Sequence, residues 1–253
     1  MRNPSDHARK DIAYHDEIAD HYDRVVVAPR WSSIDALFRP LSKLIPARGS
    51  MMLDIGTGTG HMLRRFASRF ERVIAVDHSE QMLRKARESA QRAGLSNIEF
   101  SCADAIEFAR REDRSFDLIS CVGFLHHLRP VDLPELLGAL AKLLAPSGNL
   151  VVAEPIAISS TEPRAIEWWN REYRRDPQHY AAMPDEPDEA PLNIRFLGET
   201  LRAAQLRVCG EGRGWEIFPR KSIPDAVNTI AIDVLHRFVG SRGPVYWACC
   251  RRA

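Results

Sequence analysis

Three stretches of this chain combine residue types and spacings that can do chemistry on a ligand. The first is Leu53-Asp54-Ile55-Gly56-Thr57-Gly58-Thr59-Gly60, an apolar run that ends in three glycines. Glycines at that density, set between a strand and a helix, let a ligand come close to backbone N–H groups at a helix N-terminus. The dinucleotide fingerprint G-x-G-x-x-G has its third glycine five positions after the first. Here Gly60 follows Gly56 by four, which disfavours a dinucleotide. The second feature is a pair of acids. Asp77 closes a β-branched run, where a carboxylate can accept both hydrogen bonds of a ribose diol, and Asp104 follows the next run, where it can accept from an adenine amino group. The third is His126-His127, on the stretch that leaves residues 116–122. An imidazole, with an unperturbed pKa of ~6.5, suits the removal of a proton from an acceptor.

Strands and helices must alternate to bring these stretches together. Residues 51–55 read as a buried parallel strand, 61–70 as a helix with Met62, Leu63, Phe66 and Phe70 inward, and 72–76 as a second strand. Ser79 is a good N-cap for a helix carrying Met82, Ala86, Ala90 and Ala93, which Gly94 stops. Strands follow at 97–102, 116–122 and 149–153, with an amphipathic helix over 133–144. That rhythm predicts right-handed βαβ units and a doubly wound α/β parallel sheet, with the three strand ends beside one crevice. The last part departs from it: helix 197–205, strand 206–209, helix 224–239 with Val227, Ile230, Val234 and Phe238 in register, and strand 245–250. The two late strands are expected to form an antiparallel edge.

Composition bounds the partners. Of 253 residues, 45% are hydrophobic and 27% charged, enough apolar material for a core and against intrinsic disorder. The formal net charge of +1 gives no global reason for a nucleic-acid or membrane partner, and no run of about 18 apolar residues marks a spanning helix. No secretory signal is read at the start. Five cysteines, an odd number with no CxxC pair, point to reduced thiols and a cytoplasmic location, against a disulfide framework or a Cys-built zinc site. Charge is uneven locally: residues 154–191 hold 4 basic and 9 acidic side chains with six prolines, and 192–253 hold 10 and 5. A single domain over 1–253 is expected, with an N-terminal helical cap (1–48), a cofactor-binding core (49–153), an acidic, Pro-rich lid insertion (154–196) and C-terminal strands and helix (197–253).

The motifs LDIGTGTG (53–60), VIAVDHSEQML (73–83), CADA (102–105), FDLISCVGFLHHL (116–128) and LLAPSGNLVV (143–152) together resemble the class I S-adenosylmethionine-dependent methyltransferases, in order and spacing over about 100 residues. YHDEIADHYDR (14–24) is similar to that family's leading helix, which caps the cofactor. The resemblance implies a Rossmann-like seven-stranded sheet of order 3-2-1-4-5-7-6 with strand seven antiparallel. It also implies S-adenosyl-L-methionine as cofactor and S-adenosyl-L-homocysteine as product. Gly56, Gly58 and Gly60 would pass the methionine part, Asp77 would hold the ribose, Ala103 and Asp104 the adenine, and Met82 would pack on its ring. Tyr14, Tyr22, Asp54, Thr57, His78, Ala105 and Cys121, within the same motifs, complete the expected cofactor set.

Methyl transfer is an in-line displacement in which alignment supplies most of the gain, up to ~7–11 kcal/mol. A hydroxyl acceptor also needs a base, for which His126 is the first candidate and His127 the second. Both have an alternative role in bracing the loop. Adjacent histidines on one turn point in different directions, so no metal site is expected. No acidic pair follows residue 122, against a magnesium-dependent catechol type, and the Asn/Asp-Pro-Pro-aromatic motif of nucleic-acid amino methylation is missing. The expected reaction is methylation of a small organic acceptor, at oxygen. Alternatives are an RNA methyltransferase, favoured only by the basic tail (Arg202, Arg207, Arg213, Arg220, Lys221), a protein methyltransferase, or an inactive cofactor-binding protein. Residues 161–191, with Thr161 as cap and Ile166, Trp168, Trp169 and Tyr173 on a helix, are expected to form a lid, one tryptophan facing a pocket, lid or partner.

Overall fold

The computed structural model describes residues 6–27, 31–157, 164–174 and 191–253, with only the backbone of residues 25, 31 and 172–174. Most of the expected lid, including Thr161 and the side chain of Tyr173, lies outside the described residues.

Seven strands share one sheet: β1 (Gly49–Ile55), β2 (Phe70–Asp77), β3 (Ile98–Cys102), β4 (Phe116–Val122), β5 (Leu144–Pro155), β6 (Leu206–Gly214) and β7 (Val245–Arg252). Their order is β3-β2-β1-β4-β5-β7-β6; the first five pair in parallel, and β7 runs antiparallel between β5 and β6. Side chains alternate along each strand and so divide the core in two. Met52, Trp247 and Cys249 join α2 (Trp31–Ser42), α3 (His61–Phe66) and α4 (Glu80–Arg92) on one side. Leu53, Ile55, Tyr246 and Ala248 join α5 (Ala105–Arg111), α6 (Leu133–Leu143) and α8 (Ile194–Ala203) on the other. A doubly wound sheet buried on both faces reads as near-continuous apolar runs, as β1, β2 and β4 do.

Local chemistry sets the ends of the elements. Ser79 Oγ accepts from the Met82 N–H at 3.0 Å and caps α4, and Gly94 leaves it at φ +68°. The helix expected over 61–70 stops at Phe66; a 3₁₀ turn follows, and Phe70, extended at ψ 149°, already opens β2. β5 begins at Leu144, five residues before the expected start, with a register shift against β4. Gly148 permits this, because a Cβ there would stand 2.5 Å from the Phe116 carbonyl oxygen. β6 likewise runs on past Cys209, with a Cβ at Gly212 ruled out by the Trp247 ring 2.5 Å away.

Outside the sheet, pattern reading fails for one helix. Helix α1 (Asp6–Tyr22) lays Tyr14, Ile18 and Ala19 on Met82 of α4. Helix α7 (Arg164–Arg174) packs Ile166 against Trp215, Ile217 and Ile232, the last from α9 (Asp225–Val239). Trp169 Nε1–H donates to the Phe218 carbonyl, while Trp168 lies exposed under the Arg220 guanidinium. Neither tryptophan faces the sheet. In α9 the expected inward set is reversed: Val227, Ile230, Val234 and Phe238 are exposed, Phe238 at 82%, and Asn228 and Ile232 face in. Asn228 wins the buried place because its amide donates to the Arg220 and Ile223 carbonyls and accepts from the Arg220 N–H, closing a turn that apolar side chains would leave unpaired. No helix among the described residues is long and apolar enough to cross a membrane.

Candidate active site

The glycine loop leaves β1 with Gly56, Gly58 and Gly60 at φ +70°, +53° and +85°, the left-handed region that favours glycine. Gly56 and Thr57 N–H groups donate to the Val76 carbonyl at 2.9 and 3.1 Å, which ties the loop to β2. Asp77, at the end of β2, accepts from the Gly58 N–H at 2.8 Å and the Ser79 N–H at 2.9 Å. A Cβ at Gly56 would meet Phe124 at 2.5 Å, whereas at Gly58 it would meet nothing within 4 Å. So Gly58 alone of the two looks onto open space. Gly58→Val is expected to keep the fold, at about 1–2 kcal/mol for the left-handed backbone, and to weaken S-adenosylhomocysteine by at least ~10-fold through the volume it adds. Calorimetry giving parental affinity for a folded variant would separate the loop from binding.

The open space is a cavity of about 410 Å³ at the carboxyl ends of β1 to β5, where open α/β sheets take ligands. Of the residues singled out in the sequence, Tyr14, Tyr22, Gly56, Thr57, Gly58, Asp77, His78, Met82, Ala103, Asp104, Ala105, His126 and His127 line it. Three others, Asp54, Gly60 and Cys121, are buried behind the wall. Asp54 is buried under the loop, accepting from Ser120 Oγ at 2.6 Å and Thr57 Oγ1 at 3.0 Å. Burial pushes its carboxyl up to about 7, against the pull of those two hydroxyls. Gly60 is the N-cap of α3, where an added Cβ would stand 3.4 Å from Ala86. Cys121 is a core thiol whose pKa burial holds well above the ordinary value. Asp104 uses one oxygen to cap α5, accepting from the Ile106 and Glu107 N–H groups at 2.9 Å.

The two histidines diverge. His126 Nδ1 stands 2.8 Å from Glu154 Oε2, and Glu154, fully buried at the end of β5, accepts the Phe124 and Leu125 N–H groups with its other oxygen. A carboxylate only accepts, so the proton of His126 sits on Nδ1 and Nε2 is the nitrogen that can take another. His127 Nδ1 turns instead to Asp11 of α1, at 2.9 Å. The same carboxylate takes His78 Nε2–H at 2.9 Å on its other oxygen, with His15 Nδ1 3.5 Å away. Burial works to raise the Asp11 carboxyl, but the bonds from His127 and His78 outweigh it and hold it far below the carboxylate range. Burial lowers His15; it also works against His78, which the Asp11 bond nonetheless raises.

Glu154 and Asp11 are the important wall residues that sequence reasoning missed, with Phe124, Trp215 and Glu216 beside them. Their partners lie 28 and 116 positions away, and only the register of β4 on β5 and the fold-back of α1 bring them together. An acid at the end of a strand read as buried was the one available signal for Glu154.

Residues 52–148 match the profile of a methyltransferase domain family. A ubiquinone biosynthesis O-methyltransferase of Idiomarina loihiensis is 32% identical over 136 residues, covering 49% of this chain and 55% of that protein. An uncharacterized methyltransferase of Bacillus subtilis, YcgJ, is 31% identical over 131 residues, covering 51% and 49%. The chain thus spans about half the length of the curated relatives it matches. Among solved structures, a DhpI complex with SAH superposes with TM-score 0.64 at 18% identity over 97% of this chain and 96% of that one. The [4+2]-cyclase SpnF superposes at 0.66 and 17% identity over 100% and 98%, so the fold by itself does not fix the reaction. Sheet order, glycine loop and the match over residues 52–148 agree: the chain carries a methyltransferase domain and is similar to the class I S-adenosylmethionine-dependent methyltransferases.

Proposed function

We propose that this protein transfers the methyl group of S-adenosylmethionine to oxygen of a small organic acceptor. The observation that carries the reading is the His126–Glu154 pair at 2.8 Å, a base held in one tautomer on the wall of the cavity that the glycine loop and Asp77 also line. The residues present fit the cofactor: an open cradle at Gly58, a carboxylate at the end of β2, and Tyr14, Tyr22 and Met82 as apolar cover. When bound, S-adenosylmethionine supplies a methyl on a positively charged sulfur. Asp77 holds the ribose diol, Ala103, Asp104 and Ala105 border the adenine, and the backbone of Gly56 to Gly58 receives the methionine part. His126 Nε2 takes the acceptor proton as the oxygen attacks, and Glu154 steadies the resulting imidazolium. Ile34, Leu37, Phe38, Phe124, Trp215 and Val245 give the rest of the wall an apolar, partly aromatic character, which suits a small apolar acceptor better than a nucleic acid or a peptide.

A labelled methyl donor incubated with the protein and a cell extract tests this. Label is expected in the small-molecule fraction, in a product stable to mild base as an ether is. Label in RNA or protein, or in none, would overturn the reading. Asp77→Ala is expected to weaken S-adenosylhomocysteine ~5–150-fold, or about 1–3 kcal/mol, because two hydroxyls lose a charged acceptor. Unchanged affinity by calorimetry would remove the ribose assignment.

A further inference from the structure

We infer that Asp11, His15 and His127 form a binding site for a divalent first-row transition-metal ion, at the seam between α1 and the sheet. One donor atom from each lies within 4.8 Å of the other two, the one such grouping among the described residues. Donor atoms sharing an ion at 2.0–2.2 Å stand roughly 3–4 Å apart. The two printed separations agree: Asp11 Oδ1 is 2.9 Å from His127 Nδ1 and 3.5 Å from His15 Nδ1. Two imidazoles and one carboxylate on one side of an ion are a recurring set for iron, zinc, cobalt or manganese, and leave further positions open. Imidazole nitrogens disfavour magnesium and calcium, which take oxygen.

The surroundings are those of a built site. The Asp11 side chain is only 4% exposed, with His127 and His15 at 12% and 14%, and all three line the cavity. Asp11's other oxygen is fixed by His78 Nε2–H at 2.9 Å, and the His127 main-chain carbonyl is met by His7 Nε2 at 2.7 Å. Such outer contacts orient ligands before an ion arrives. One carboxylate faces three imidazoles, His15, His78 and His127, and His15 Nδ1 also lies 2.9 Å from the Asp11 main-chain carbonyl. An ion held here would take the place of the protons that His15 and His127 turn toward Asp11, and its uptake would release them. Two of the ligands sit on α1 and the third follows β4, so the ion would fasten the helix that covers the cavity. His126 takes no part, because its Nδ1 is committed to Glu154. This departs from the expectation of no metal, which considered the adjacent pair 126–127 rather than residues brought together from 116 positions apart.

The test needs no turnover and therefore stands apart from the reading of methyl transfer. Untagged protein, stripped with chelator and without cofactor, is titrated with Co²⁺ while the visible d–d absorption is followed, then competed with Zn²⁺. One equivalent is expected to bind with nitrogen–oxygen bands that Zn²⁺ removes. Asp11→Asn and His15→Gln are each expected to weaken Co²⁺ by at least ~10²-fold, while His126→Ala and His61→Gln bind as the parent does. S-adenosylhomocysteine binding by each variant reports that it is folded. Failure of the parent to take up Co²⁺ at micromolar concentration would overturn the proposal. So would equal affinity in a folded Asp11→Asn protein, or loss of the bands in His126→Ala.

Discussion

Replacing His126 by Ala is expected to slow the chemical step ~10²–10⁴-fold, the usual range for a lost general base, and to leave S-adenosylhomocysteine affinity unchanged. Glu154→Gln refines the expectation. A glutamine oxygen can still accept the Phe124 and Leu125 N–H groups that Glu154 now accepts at 3.0 and 2.9 Å, so the fold should hold. Its NH₂ would then face His126 and require a lone pair on Nδ1. The proton would move to Nε2, the nitrogen that must be bare to act as base. A carboxylate-to-amide change beside a catalytic histidine costs about 10⁴-fold elsewhere by this tautomer effect. Glu154→Gln should therefore approach His126→Ala in single-turnover rate while binding cofactor normally, and the double variant should be no slower than the worse single one. Additive losses, or a His126→Ala enzyme near full turnover, would place the base elsewhere and make an amine acceptor, able to arrive deprotonated, the better substrate class.

The parallel half of the sheet was legible because its rules are local. A strand buried on both faces must be an apolar run, and β4 falls on the expected residues at both ends. Ser79 and Gly94 mark the ends of α4 by side-chain and backbone chemistry within one turn. Bounds failed where a distant partner decides them. Gly148 allows β5 to begin early because it lies against Phe116, and nothing near Gly148 in sequence says so. Helix α9 is a stronger case. Its apolar stripe is real, but Asn228 and Ile232 are what the 215–223 segment and α7 require, and the stripe is left outside.

The site divides along the same line. Gly56, Gly58, Asp77 and Asp104 stand at a strand end or on the loop that follows one, so the motif spacing carries their positions. Asp54 and Cys121 belong to the same motifs yet stand one residue short of the ends of β1 and β4, buried on opposite faces of the sheet, because a motif includes strand residues of both faces as well as the strand end that meets the cavity. Pairings across the sheet or across the cap, His126 with Glu154 and Asp11 with three histidines, depend on register and on how α1 folds back. Periodicity does not encode either.

Asp54 is expected to make the protein less stable as pH rises, the reverse of an ordinary paired carboxylate. Its folded pKa is about 7, raised from 3.8 by burial, so between roughly pH 4 and pH 7 the folded state holds a proton that the unfolded chain has released. Its contribution is fully present below the unfolded value and is lost as pH climbs through the folded one. A gap of about three between the two values sets an upper bound of roughly 4 kcal/mol on the loss. Histidines kept neutral by burial act in the opposite direction below their ordinary 6.5, among them His61, down to about 3, and His236. The useful quantity is therefore the difference between the parent and Asp54→Asn. Asparagine cannot ionise, and the Ser120 and Thr57 hydroxyls can turn to meet an amide, since Thr57 Oγ1 also reaches the Asp54 carbonyl at 3.1 Å. Denaturant melts of the ligand-free protein at about pH 5 and about pH 8 should show the variant gaining on the parent by a few kcal/mol as pH rises. A difference that stays flat, or that grows toward acid, would mean that Asp54 is ionised under the glycine loop. The loop would then be braced by a buried charge that Ser120 and Thr57 are enough to solvate.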